Sequence, residues 1–442
     1  MADVPLPRTQ TEAPQYSDDE MLEAAPRPII ATPRSTARVA APTVEGERKK
    51  SLIATLDIPL ILVVSVLLGI GAMMVYSTTF YWSTLEWDSD SYMLGLHLRN
   101  MGVGAIALGL MLLIDYRIWK RFTVWMLLAA ISFLIGVLLF GDRTFGARRA
   151  LIAGSYQPGE LAELVVVIYL AAWLGSKGTK VSSFFYGLLP FTLIVGVVGG
   201  LVVAQPDLST ALIIFISAGI MFFLAGADLR QLLAGAVIVL AVGIFVLQNL
   251  LPIYAQERVD SFQASITDLT QANWHTQQAV IAFMNGGWFG RGLGQGLQKF
   301  RALPAPHTDS IFAVIGEELG VLGAGFVVAL YVAFAIRGFR IARRALDPFG
   351  ALLAAGITIW VVTQALLNIA VMTALVPSSG MPLPYISYGG TSMVVLMAGA
   401  GLLMSIHRVS VRDSGTPERR QDATAYRSRG DGRARVPRAG RR

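Results

Sequence analysis

Ten long apolar stretches limit what this chain can fold into. An α-helix that crosses a bilayer needs about 20 mostly apolar residues. The stretches lie near residues 57–78, 100–115, 121–140, 160–175, 184–204, 208–226, 231–251, 310–336, 350–373 and 389–407. Composition agrees, because 54% of the residues are hydrophobic and only 15% are charged, against about 25% charged in soluble proteins. The sequence therefore predicts an all-α, polytopic membrane protein with ten transmembrane helices.

Positive charges beside these stretches predict the topology, since Lys and Arg in short loops are retained in the cytoplasm. They precede the first stretch and follow the second, fourth, eighth and tenth, within residues 48–50, 117–121, 177–180, 337–344 and 408–412. Both termini are therefore expected in the cytoplasm. Residues 51–408 form the predicted membrane domain, with a large outer loop, 252–308, between helices seven and eight. Residues 1–50 and the Arg-rich residues 409–442 have the composition of disordered cytoplasmic tails.

Four acidic residues are expected at the outer ends of the helices. Asp309, Asp207 and Glu160 each stand at or near the start of a predicted helix, and Glu163 shares a helix face with Glu160. Ionisable groups in a membrane segment are costly, so they usually serve a function. A simpler alternative exists for two positions: Asp207, and Thr308 or Asp309, could cap their helices by accepting hydrogen bonds from free backbone N–H groups.

Basic residues nearby extend this candidate site. Arg148 and Arg149 precede the helix of Glu160 and could pair with carboxylates or bind a phosphate in bidentate fashion, unless they are only solvated. His307 is expected near Asp309. The chain has no cysteine, and its four histidines lack zinc-site spacing, so the sequence predicts no metal site. No cofactor is expected with certainty, and a divalent cation stays open.

Two reactions suit carboxylates at the outer face of a membrane without a nucleotide motif. One is group transfer from a lipid-linked phosphate donor, in which a carboxylate acts as the base and Arg or a cation steadies the leaving pyrophosphate. The other is transport along a path lined by charged groups and helix ends. In the outer loop, the glycines of residues 285–300 with Trp288 and Phe289 predict turns and a short interfacial helix.

Four motifs in one order resemble the SEDS family of FtsW, RodA and SpoVE proteins over about residues 55–410: GARR…QPGELAEL, QPDLSTAL, PAPHTDSIFAVIGEELG and SSGMPLPYISYGGTS. The resemblance implies a peptidoglycan glycosyltransferase that polymerises lipid II outside the bacterial cytoplasmic (inner) membrane. It also implies an inverting reaction that releases undecaprenyl pyrophosphate. Asp309, in the HTD motif, would be the catalytic base that deprotonates the 4-hydroxyl of the acceptor lipid II.

The resemblance further implies a set of substrate-binding residues and a set of partners. Arg148 and Arg149 would face pyrophosphate, Asp207 and Glu160 would support the cavity or a cation, and Glu318 would support the start of span eight. The full predicted set is Arg148, Arg149, Glu160, Glu163, Asp207, His307, Thr308, Glu318, Ser387, Gly389 and Gly390. Expected partners are lipid II, the lipid-linked glycan, a class B penicillin-binding protein, other divisome or elongasome membrane proteins and membrane lipid. No nucleic acid is expected.

Three positions depart from the family pattern, which usually reads GA-R-R/K-W and QPSELAKL. Ala150 replaces the Trp, Gly159 replaces the Ser, and Glu163 replaces the Lys. Loss of the Lys removes a candidate pyrophosphate contact, and we hypothesise that Arg148, Arg149 or a divalent ion supplies the missing charge. The departure leaves room for an inactive member that acts as a scaffold for a penicillin-binding protein, and a lipid-linked precursor flippase is the other alternative. The motif wording favours the division branch (FtsW-like) over the elongation branch (RodA-like).

Overall fold

Apolar helices make up most of the structure. The computed structural model describes residues 53–144, 147–150, 157–249, 273–301, 303–377 and 380–413. The helices are α1 (Ile58–Trp87), α2 (Tyr92–Leu113), α3 (Trp119–Phe140), α4 (Pro158–Lys177), α5 (Leu189–Ala204), α6 (Leu208–Leu224), α7 (Leu229–Asn249), α8 (Trp274–Gly286), α9 (Gln298–Arg301), α10 (Ile311–Arg344), α11 (Pro348–Met372) and α12 (Thr391–Asp413). Two short strands, β1 (Asp142–Thr144) and β2 (Ala147–Ala150), pair antiparallel between α3 and α4. Apart from this small hairpin, the all-α prediction is confirmed.

Each predicted apolar stretch corresponds to a helix. Within the described residues, eight helical segments are long and apolar enough to cross a membrane. The remaining two stretches correspond to shorter apolar helices, Leu208–Leu224 and Leu229–Val239. The count of ten crossings therefore stays a prediction. Helices α8 and α9 lie in the predicted outer loop. Residues 252–272 and 302 of that loop lie outside the described residues, as do the two predicted tails, the C-terminal one beyond Asp413.

Ion pairs bring several helix ends to one end of the bundle. Asp57 caps α1 and pairs with Arg337 of α10 at 2.6 Å. Arg117, between α2 and α3, pairs with Asp413 at 3.1 Å and with Asp347, the cap of α11, at 3.4 Å. The start of α1, the α2–α3 and α10–α11 turns and the end of α12 therefore share the end that the sequence assigns to the cytoplasm.

Helices α4, α11 and α12 form the enclosed centre. Of their apolar segments, 67%, 72% and 78% of the residues are buried, against 17% for α2. Small residues allow close helix packing in a membrane. At Gly401 of α12, an added Cβ would lie 2.4 Å from the Leu108 carbonyl oxygen of α2, so only glycine fits this contact. The predicted acidic residues thus come from a central helix, α4, and from segments that precede α6 and α10.

Candidate active site

Asp309 lies in the turn before α10 and is not the N-cap residue of that helix. The helix begins at Ile311, and the capping position belongs to Ser310, whose side chain makes no capping hydrogen bond. Instead, the Ser310 hydroxyl donates to the Pro304 carbonyl at 2.6 Å. The interpretation of Thr308 or Asp309 as the N-cap residue is therefore wrong. Asp309 is partly exposed.

Two neighbours fix the position of Asp309. The Asn368 amide of α11 donates to the Asp309 carbonyl at 2.8 Å and to the Met381 carbonyl at 2.6 Å, which joins the HTD segment to the chain before α12. On the carboxylate side, Gly380 leaves the space that Asp309 occupies, because a Cβ there would lie 2.9 Å from Asp309 Oδ2. Sequence reasoning missed Asn368, although a polar residue within an apolar stretch is a usable signal.

The rest of the HTD motif is held by the segment that leads into α12. The Ser387 hydroxyl donates to the Thr308 carbonyl at 2.5 Å and accepts from the Leu383 N–H at 2.8 Å. The Tyr388 N–H donates to the His307 carbonyl at 2.9 Å, and the two rings meet edge to face with centroids 5.8 Å apart. The Ser387 hydroxyl is buried and engaged within the protein, so it holds the HTD backbone, while its predicted contact with substrate stays a prediction.

His307 is kept neutral near pH 7, because burial lowers the pKa of its imidazole below the usual value of 6.5. The prediction placed this side chain near Asp309, and the structure places its ring against Tyr388. Gly389 and Gly390 are partly buried and come directly before α12.

Three of the predicted carboxylates form a second group. The Thr391 hydroxyl, at the start of α12, donates to Glu160 Oε2. Asp207 caps α6 as predicted by the alternative, since its carboxylate accepts from the Thr210 N–H at 3.3 Å and from the Thr210 hydroxyl at 3.0 Å. Asp207 lies close enough to Glu160 and Glu163 for their like charges to repel one another.

Glu163 has a partner that the sequence did not predict. Its side chain is buried, and the Trp360 indole N–H of α11 donates to Glu163 Oε2 at 2.7 Å. Both residues line a small cavity of about 10 Å³ that is otherwise mostly apolar. The indole is a neutral donor, so the positive charge that the hypothesis assigned to Arg148, Arg149 or a divalent ion stays a prediction.

One segment contacts both the HTD motif and the second group of carboxylates. Residues 380–391 contact the HTD motif through Ser387 and Tyr388, and Glu160 through Thr391. Convergence of Asp309 with Glu160, Glu163 and Asp207 in a single pocket stays a prediction.

Arg148 and Arg149 lie in β2, which pairs with β1 and packs against α3 and α4, but their side chains lie outside what the structure describes. In the described part of the chain, no group of three or more His, Asp or Glu residues is arranged to hold a metal ion.

Glu318 is enclosed by the protein. Its side chain is 0% exposed and pairs with Lys299 Nζ at 2.5 Å. It also accepts from the Ser77 hydroxyl at 2.7 Å and from the Gly294 N–H at 2.9 Å. These contacts fit the predicted support of the start of span eight, while the substrate-binding assignment of Glu318 stays a prediction. Lys299 and Ser77 were missed, because nothing in the sequence pairs residues so far apart.

Comparison with known proteins places the chain among cell-wall proteins. The family model described as a cell cycle protein, which groups FtsW, RodA and SpoVE, matches residues 58–412. The probable peptidoglycan glycosyltransferase FtsW of Geobacter sulfurreducens is 36% identical over 369 residues, which cover 82% of this chain and 96% of the relative. Stage V sporulation protein E of Bacillus subtilis is 33% identical over 358 residues, which cover 80% and 97%.

Solved structures share the fold. One chain of a peptidoglycan synthase complex that coordinates polymerization and crosslinking superposes with a TM-score of 0.67 at 25% identity, covering 81% of this chain and 99% of the other. The rod shape determining protein RodA of Thermus thermophilus superposes with a TM-score of 0.59 at 25% identity, covering 80% and 97%.

Proposed function

The chain belongs to the family of FtsW, RodA and SpoVE cell cycle proteins and is a peptidoglycan glycosyltransferase, and we propose that it polymerises lipid II with Asp309 as the general base. One observation carries the assignment of the base. Asp309 is held by its backbone beside a space left by Gly380, and the residue is partly exposed. A carboxylate that is held in one place and remains partly exposed suits proton abstraction.

In the proposed reaction, Asp309 removes the proton from the 4-hydroxyl of the acceptor lipid II. The hydroxyl oxygen forms a new bond to the anomeric carbon of the growing chain. The bond between that carbon and the pyrophosphate oxygen breaks, and undecaprenyl pyrophosphate leaves with the bonding electron pair. Attack from the side opposite the leaving group inverts the configuration at the anomeric carbon. The donor already carries its activation, so the step needs no nucleotide.

The hairpin arginines are proposed to face the pyrophosphate. Arg148 and Arg149 belong to β2, next to α4, which carries the acidic group. A guanidinium can bind a phosphate through two parallel hydrogen bonds and stabilise its negative charge. Glu160 and Asp207 are proposed to support this side of the cavity, with a divalent cation between carboxylates and pyrophosphate as an addition that the assay below can test by chelation.

The proposed reaction also implies a location in the membrane and a set of partner proteins. The protein is a multi-pass membrane protein, and we place it in the cytoplasmic membrane with both termini inside, so that Asp309 faces outward. Its proposed partner is a class B penicillin-binding protein, which would crosslink the glycan that this chain polymerises. This fits the related fold found in a synthase complex that coordinates polymerization with crosslinking. The 36% identity to an FtsW protein supports the proposal that the chain acts in division, together with other divisome proteins.

Purified protein, with its candidate partner, given lipid II in detergent tests the proposal. Asp309→Asn should lower polymer formation by about 100- to 10,000-fold, the range for loss of a general base. Asp88→Asn is the matched control, because Asp88 is exposed and in the left-handed region that Asn also adopts. Polymer from Asp309→Asn at the wild-type rate would refute the base. Absence of polymer from the wild type, with translocation in liposomes, would instead support a flippase, and absence of both would support a scaffold.

A further inference from the structure

A completely buried ion pair fixes the loop between α8 and α10. Lys299 Nζ lies 2.5 Å from Glu318 Oε1, 2.8 Å from the Ser77 hydroxyl of α1 and 3.0 Å from the Gly294 carbonyl. Both charged side chains are 0% exposed. Burial of a charge is costly unless its partner and hydrogen bonds compensate it, so a buried pair holds its surroundings in one geometry.

The preceding residue of α10 holds the next part of the loop. Glu317 is also 0% exposed, and its carboxylate accepts from the Leu297 N–H at 3.0 Å and from the Gln298 N–H at 3.2 Å, where α9 begins. Two consecutive carboxylates of α10 therefore hold residues 294–299 of the loop. Glu318 binds Gly294 and Lys299, and Glu317 binds the backbone between them.

The first part of the loop forms backbone hydrogen bonds with α10 at a break in that helix. Gly320 leaves the helical conformation with φ of 69° and ψ of −171°. Loop backbone takes over the partners that the helix loses: the Gly292 N–H donates to the Glu318 carbonyl at 3.0 Å, and the Val321 N–H donates to the Gly287 carbonyl at 2.9 Å. An added Cβ at Gly320 would lie 2.4 Å from the Gly290 nitrogen, so glycine is required at this contact.

The loop then runs directly into the HTD segment. The Leu303 N–H donates to the Gln298 carbonyl, one residue before Lys299, at 3.0 Å. Further on, the Ser310 hydroxyl donates to the Pro304 carbonyl at 2.6 Å. Hydrogen bonds thus connect the anchored residues 298–299 with the turn that contains Asp309.

We propose that Lys299 is a positioning residue for Asp309: its ion pair with Glu318 and Ser77 fixes the loop that places the catalytic turn against α10. This inference rests on the proposed role of Asp309. Lys299 itself touches no substrate, because its side chain is enclosed by protein.

The test compares neutral variants of the pair in the lipid II polymerisation assay, with rates expressed per folded molecule. Lys299→Met leaves the Glu318 carboxylate buried without its cation, and we expect a loss in kcat of about 10- to 100-fold, the size that a misplacement of up to 1 Å can produce. KM should change less than kcat, because the substrate contacts are elsewhere. Adding Glu318→Gln to Lys299→Met removes the unpaired charge and should restore most of the lost kcat.

Three further variants keep the outcome decisive. Lys180→Met is the matched control, since Lys180 is exposed and lies far along the chain from this loop, and its kcat should equal that of the wild type. If Lys299→Met does not fold, Ser77→Ala, which removes only the bridging hydroxyl, should lower kcat severalfold. Unchanged kcat per folded molecule in Lys299→Met or Ser77→Ala, or no recovery in the double variant, overturns the inference. Asp309→Asn separates the two proposals: if that variant is inactive while Lys299→Met keeps its kcat, only the positioning role fails.

Discussion

Alanine at position 380 tests whether the exact placement of the Asp309 carboxylate matters. A Cβ at Gly380 would lie 2.9 Å from Asp309 Oδ2, whereas ordinary van der Waals contact of a Cβ begins at 3.4 Å. The carboxylate must therefore move by about half an ångström, given the hard repulsion at shorter range. A misplacement of 1 Å can cost about 100-fold in rate, so we expect about a tenfold loss in kcat/KM, which corresponds to about 1.4 kcal/mol.

Gly380→Ala should lower activity without lowering the stability of the fold. Gly380 is exposed, and its φ lies outside the left-handed region, so alanine fits the backbone. Reduced freedom of the unfolded chain should leave stability unchanged or raise it by about 0.4–1 kcal/mol. The assay is the initial rate of glycan formation from lipid II beside a thermal unfolding curve. Gly95→Ala is the control, because no atom lies within 4 Å of a Cβ there. Equal rates for Gly380→Ala and Gly95→Ala would refute the reasoning.

Three other changes have definite expected outcomes. Asn368→Ala leaves the Asp309 and Met381 carbonyls without their donor, so it should destabilise the fold by about 2 kcal/mol and lower activity as well; an unfolding temperature equal to the wild type would contradict this. Trp360→Phe removes the N–H donor of a buried carboxyl group and should cost about 1–3 kcal/mol in the same measurement, and less when Glu163→Leu is already present. The pKa of His307 is lowered in the folded protein, so the unfolded chain binds a proton more readily, and the free energy of unfolding should fall as pH drops below 6.5. His307→Gln should make this fall less steep when unfolding is measured from pH 7.5 to 5. The same pH dependence in the variant and the wild type would be evidence against it.

Hydropathy was sufficient to predict where the helices lie, because membrane crossing depends on local apolar length. It could not reveal the break at Gly320, since a glycine between apolar residues reads as an ordinary helix interior and the break depends on the loop that docks there. The same limit applies to Lys299. A lone lysine in a polar loop gives no sign that it will be buried against Glu318 and Ser77.

The helix-cap interpretation was right for Asp207 and wrong for Asp309, and the difference lies in how far each residue stands from the start of its helix. Asp207 precedes α6 directly, and its side chain reaches the first free N–H groups. Asp309 comes one residue too early, because the turn formed by residues 305–310 places Ser310 at the start of α10. Glu163 shows a different limit: the motif comparison identified it as unusual, but its partner Trp360 lies on another helix and could not be read from spacing.

The interruption of α10 makes the loop a part of the helix's hydrogen bonding on both sides of Gly320. The Gly292 N–H donates to the Glu318 carbonyl before the break, and the Val321 N–H donates to the Gly287 carbonyl after it. Residues 287–292 therefore complete both pieces of the helix, Ile311–Leu319 and Val321–Arg344. A substitution that displaces this loop would leave backbone groups of both pieces without partners at once, so the placement of the loop and the integrity of α10 are coupled.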